Sequence, residues 1–104
     1  MTRVAVYTPD LMDRSKISAA LPEARFVGQP EALVGLADID VAIVDLRQPR
    51  VLAVLPDLAA AVTVVAYGSH VDRKRLEAAE AAGCQTVLAR SAFFARLPEI
   101  LSGG

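Results

Sequence analysis

Much of what usually betrays a function is scarce in this chain. Its 104 residues include one cysteine, one histidine and no tryptophan, and only 5% are aromatic. Cys84, standing alone, excludes an internal disulfide and any multi-cysteine metal site, and it suits a reducing compartment. With His70 as the only imidazole, a zinc site lacks ligands. No apolar run approaches the roughly 20 residues needed to cross a bilayer, and the N-terminus turns polar too early for a signal peptide. The chain therefore reads as cytoplasmic. Charge of one sign is lacking too: 11 basic and 12 acidic residues are scattered along it, for a net charge of -1. That argues against nucleic-acid and membrane partners. No Gly-rich loop follows the first apolar segment, where Thr8-Pro9-Asp10 stands instead, so nucleotide binding lacks its main warrant.

What is present is aliphatic. Hydrophobic residues make up 54% of the chain. With so few aromatics among them, the core must be built from Val, Leu, Ile and Ala, which suits a parallel sheet covered by helices. Five short apolar segments read as buried strands: Val4–Tyr7, Arg25–Val27, Val41–Val44, Val62–Ala66 and Thr86–Ala89. Helix signals lie between them. Thr8-Pro9-Asp10 offers a cap, a proline and an acid, and Pro30-Glu31 repeats the last two. Ser69-x-x-Asp72 reads as a capping pattern before a helix over Arg73–Ala82, which Gly83 stops. Ser91 is expected to cap a last helix, and Pro98 to break or kink it.

Strand and helix alternate about every 20 residues, which demands right-handed crossovers. The expected fold is one domain over residues 1–104, a three-layer α/β/α sandwich with a five-stranded parallel sheet in the flavodoxin-like order 2-1-3-4-5. Ser102-Gly103-Gly104 reads as a flexible tail. Ligands of such sheets bind beyond the carboxyl ends of the strands, and the polar residues delivered there are Thr8, Asp10, Asp45, Arg47, Tyr67, His70, Arg90 and Ser91.

Three features then carry a resemblance. Asp45 ends the third strand with Pro49 four residues on, Ala81-Ala82-Gly83 precedes the fifth strand, and Arg90 ends it. In this order they resemble the receiver domain of bacterial two-component response regulators over essentially the whole chain. The resemblance implies that Asp45 stands where that family accepts a phosphoryl group from a histidine kinase, beside magnesium. It also exposes departures. The family's pair of metal-binding acids falls on Tyr7 and Thr8, its short hydroxyl residue falls on Tyr67 or Gly68, and its lysine and cis-proline fall on Arg90 and Ser91. Asp10 or Asp13 are the acids left to reach inward, although an acid there is ordinarily explained by capping.

Phosphoryl transfer to a carboxylate needs compensation of developing charge, and these departures remove it. Asp45 then reads as a strand-end acid held by Arg90 or Arg47, or as the cap of the following turn. The leading expectation is a degenerate, non-enzymatic pseudo-receiver that binds a protein partner or itself, with no cofactor and no metal. One alternative is a phosphorylation-competent receiver that uses Asp45 and Mg2+. Another is a small-ligand or enzyme-like module using Asp45 and His70. Tyr67 is a candidate partner-facing ring or a cover for the sheet edge. Arg73, Arg75, Glu77, Phe93 and Phe94 are interface candidates. Adjacent on a helix, the two phenylalanines point about 100° apart, so one is expected in the core and the other at a surface.

Overall fold

The structure is a computed structural model that describes residues 2–102. Ten elements alternate along it: β1 (Val4–Tyr7), α1 (Leu11–Ala20), β2 (Arg25–Phe26), α2 (Glu31–Val34), β3 (Val41–Asp45), α3 (Val51–Ala61), β4 (Thr63–Gly68), α4 (Arg73–Ala81), β5 (Thr86–Ala89) and α5 (Arg90–Ser102). The five strands form one sheet in the order β2-β1-β3-β4-β5, and every pair is parallel. This is the flavodoxin-like order expected from the alternation. Of the expected Ser102–Gly104 tail, Ser102 is the last residue of α5, and Gly103 and Gly104 lie outside the described residues.

The strands carry no polar alternation because both faces are covered. All residues of β1 and β3 are buried. Against one face pack Leu33 of α2, Val51, Leu55 and Leu58 of α3, and Ala79 of α4. Against the other pack Ile17 of α1 with Phe93 and Leu97 of α5. The strand period of two sorts the residues between these cores. Val4 and Val6, Val41 and Ile43, and Val65 and Tyr67 all face α1 and α5.

Several expected boundaries move, each for a local reason. β4 begins at Thr63, because Val62 is the C-cap of α3 and its N–H bonds Leu58 O at 3.0 Å. α4 is capped by Asp72, whose carboxylate accepts from Arg75 N at 3.2 Å. Ser69 instead sits in the preceding turn, accepting from Val71 N at 3.4 Å. α1 is capped by Asp10, not Thr8. Arg90 already opens α5, so Ser91 lies inside its first turn and does not cap it. Pro98 does not end that helix, and Pro56 sits likewise inside α3. Each proline removes one N–H, and packing against the sheet sustains the helix around it. Gly83 follows the C-cap Ala82 with φ +105, the left-handed stop the sequence requires.

Candidate functional site

The site forms where the inward alternation runs off the carboxyl ends of the strands. Continuing Val4-Val6 gives Thr8, and continuing Val41-Ile43 gives Asp45. In register beside Asp45 lies Tyr67 of β4. All three are almost fully excluded from solvent, at 1%, 0% and 0% exposure. From the covering helix comes Asp13, also 0% exposed, one helical turn ahead of the core residue Ile17.

Two buried carboxylates therefore meet, and two arginines answer them. Arg47 folds back from the turn after β3. Its Nε donates to Asp45 Oδ1 at 2.9 Å, and its Nη2 donates to Asp45 Oδ2 at 2.9 Å and to Asp13 Oδ2 at 2.7 Å. The Arg47 backbone N–H also donates to Asp45 Oδ1, at 3.0 Å, so Asp45 caps the turn as well. Thr8 Oγ1 donates to Asp45 Oδ2 at 3.2 Å. Arg90 takes the other carboxylate: its Nε donates to Asp13 Oδ1 at 3.1 Å and its Nη2 to the same oxygen. The Tyr67 hydroxyl donates to Asp13 Oδ2 at 2.9 Å. Among the described residues no buried side-chain nitrogen or oxygen is left without a partner.

The electrostatics follow from this wiring. Burial alone would raise the pKa of Asp13, but hydrogen bonds from Arg90 and Tyr67 and the charges of Arg90 and Arg47 outweigh it and hold its carboxyl below the ordinary value. Hydrogen bonding to Asp45 raises the pKa of Arg47, and hydrogen bonding to Asp13 raises that of Arg90. Burial, followed by the nearby carboxylates, pushes the Tyr67 phenol well above its usual range. All four groups are thereby fixed in their ordinary charge states.

An aromatic cluster backs the network. Tyr67 stacks on Phe93 with centroids 4.5 Å apart, and Phe94 meets Phe93 edge-on at 4.9 Å. Arg90 and Lys16 lie over the Phe94 ring at 5.2 and 5.1 Å. Phe93 is buried, while Phe94 is half-buried between these cations.

Several candidates sit elsewhere than expected. Tyr67 is not partner-facing, because its ring is locked in the core and its hydroxyl is committed to Asp13. Arg90 serves Asp13 and makes no bond to Asp45. Asp10 is a half-exposed helix cap, accepting from Met12 N at 2.9 Å and Asp13 N at 3.0 Å, and its Oδ2 lies 3.9 Å from Arg47 Nη2 at the rim of the network. Arg75 is not a free interface residue: its Nη1 donates to Leu46 O at 2.7 Å and Gln48 O at 3.2 Å, tying α4 to the turn after β3. Arg73, Glu77, His70 and Ser91 are exposed. His70 does not join Asp45, which lies buried behind Arg47. Cys84 is buried at the opposite end of β5, where burial pushes its thiol up to about 11.

Asp13 is the principal residue that sequence reasoning undervalued. An acid in the first turn of a helix is ordinarily read as dipole complementarity. The four-residue spacing to Ile17 is the signal that places it on the inward face.

The donor set does not fit a magnesium ion. A hard cation needs several free oxygen ligands, and the oxygens of Asp13 and Asp45 are taken by guanidinium, phenol, hydroxyl and amide donors. Among the described residues no group of three or more His, Cys, Asp or Glu is arranged to hold a metal. No described helix is long and apolar enough to cross a membrane.

No family model matches the chain, and no curated protein matches it in sequence. Solved structures do match in shape. A response regulator from Hahella chejuensis superposes with a TM-score of 0.82 at 21% identity, over 98% of this chain and 93% of its own. One from Thermotoga maritima gives 0.74 at 15% identity, over 99% and 97%. A third, from Burkholderia pseudomallei and carrying a phosphorylated aspartic acid and a calcium ion, gives 0.76 at 16% identity, over 93% of this chain and 64% of its own. Across essentially its whole length, the chain has the receiver fold of response regulators.

Proposed function

We propose that this chain is a pseudo-receiver: a non-enzymatic signalling module that works by binding a protein partner, without magnesium-dependent phosphorylation of Asp45. The observation that carries the reading is the Arg47 guanidinium, which bridges both buried carboxylates at 2.7 and 2.9 Å. A tethered cation there leaves Asp45 neither an open oxygen to attack phosphorus nor a free face for a metal. Without that metal, the charge of phosphoryl transfer goes uncompensated.

A protein-binding role is supported by what surrounds the closed site. Leu11 and Met12 on the first turn of α1 and Val71 in the loop before α4 are exposed, at 77%, 68% and 75%. All three lie at the carboxyl edge of the sheet. Large exposed apolar side chains gathered at one edge suit a contact surface. Arg73 and Glu77 on α4 and half-buried Phe94 on α5 offer a second face. A small-ligand role for Asp45 and His70 has less support, since the cleft of about 400 Å³ lined by Arg3, Leu21, Pro22 and Arg25 lies at the opposite edge.

The test is an amide NMR titration with magnesium and then beryllofluoride, a stable mimic of an aspartyl phosphate, on the wild type and Asp45→Ala. No shifts around Asp45, Asp13 and Arg90 are expected in either protein. Shifts that cluster there and vanish in the variant would instead establish the phosphorylation-competent alternative.

A further inference from the structure

Both guanidiniums of the network reach solvent, the Arg90 side chain at 35% exposure, but of the two only Arg47 bonds Asp45. Asp13 and Asp45 are 0% exposed, whereas the Arg47 side chain is 32% exposed. The two arginines also divide the work. Arg90 neutralises Asp13 from α5, so Asp13 keeps a cation whatever Arg47 does. Among the described residues Asp45 has no second cation: without Arg47's guanidinium it retains the Thr8 hydroxyl and the Arg47 backbone N–H.

The backbone under Arg47 is clamped on both sides. Arg75 Nη1 holds the carbonyls of Leu46 and Gln48, the residues flanking Arg47. The side chain can therefore swing away by rotamer changes while the turn stays in place. The side chain is about one-third exposed, so an anionic group can engage the guanidinium from solvent before the inner bonds break.

We propose that Arg47 is a removable lid on Asp45, an internal contact that keeps the carboxylate closed in the resting protein and exposes it to solvent cations when the guanidinium swings out. The inference rests on the pseudo-receiver reading, because the closed state is the one offered to a partner. Arg47 acts through Asp45 and is a positioning residue, with no chemistry of its own.

Manganese, used as a paramagnetic probe of accessible carboxylates, tests it. Amide spectra are recorded with substoichiometric Mn2+ on the wild type, Arg47→Gln and Arg90→Gln. Selective loss of the Thr8 and Asp45 amide signals is expected in R47Q and not in the wild type. R90Q controls for the mere loss of a positive charge, and its Asp45 signals are expected to persist. Persistence of the Thr8 and Asp45 signals in R47Q, as in the wild type, overturns the lid while leaving the pseudo-receiver reading in place. Loss of the Asp45 signals in the wild type overturns both, because the carboxylate is then open from the start. If R47Q does not fold, Arg47→Lys carries the same test, since an ammonium keeps the charge but lacks the fork that spans both carboxylates. Broadening at Asp45 beyond the wild-type level is expected there, and its absence overturns the proposal.

Discussion

At Asp13 burial and neighbouring charge pull in opposite directions, and the direction of its pKa shift shows which wins. Desolvation favours the neutral acid, yet Arg90, Tyr67 and Arg47 together hold the group ionised. A carboxyl whose pKa is lower in the folded than in the unfolded chain adds stability above its unfolded value of ~4, and that stability is lost as pH falls through the folded value. Asp13→Asn removes the charge but keeps the shape. Breaking a buried pair costs ~3–5 kcal/mol, and partial solvation of both arginines reduces this to ~2 kcal/mol near neutral pH. Urea titrations at neutral and acid pH check this: the gap between wild type and D13N is expected to narrow as pH falls below ~4. A constant gap would mean that Asp13 contributes packing and not charge.

The same residue marks where a sequence stops being legible. Asp45 and Arg90 announce themselves as strand-end residues, but which arginine takes which acid depends on side-chain reach across three strands and a helix. The strand pattern alone leaves both pairings of Asp45 open. Arg47 wins because Asp45 caps the turn that carries it, which places the guanidinium directly over the carboxylate.

Among the elements, α5 shows how packing overrides local propensity. Pro98 reads as a helix breaker, yet α5 continues through it, since Phe93 and Leu97 anchor the helix to the sheet. The two phenylalanines contribute unequally. Phe93 is 0% exposed and stacked on Tyr67, so Phe93→Ala opens a cavity beneath the network and is expected to cost ~3–5 kcal/mol. Phe94 loses mainly half-buried area and two cation contacts, so Phe94→Ala is expected to cost ~1–2 kcal/mol. Chemical denaturation of both variants checks the ranking, and equal losses would contradict the division of the pair into core and surface. Strand order, by contrast, was legible, because continuous β-branched runs between helical segments leave few arrangements. Boundaries shifted by a residue or two where a cap decided them, as at Val62 and Asp72.

For the whole molecule, the consequence is a receiver-shaped domain whose internal charges balance without help: two buried carboxylates, two guanidiniums and no oxygen left over. A ligand that binds only the folded state at one hundred times its dissociation constant stabilises it by ~2.7 kcal/mol. In a domain of this size that would raise the melting temperature by ~10 °C or more. A chain whose two buried carboxylates are already held by Arg47 and Arg90 should gain nothing of the kind. Millimolar magnesium is therefore expected to leave the melting temperature where an equal ionic strength of sodium chloride leaves it, the salt control accounting for simple screening of surface charge. R47Q is expected to respond differently. It should melt lower than the wild type in sodium chloride, because Asp45 is left buried without a counter-charge. Part of that loss should return with magnesium, which can approach the uncovered carboxylate of Asp45. A magnesium-dependent rise in the wild type itself would mean that the guanidinium yields to the ion, and the domain would then have to be read as a working switch.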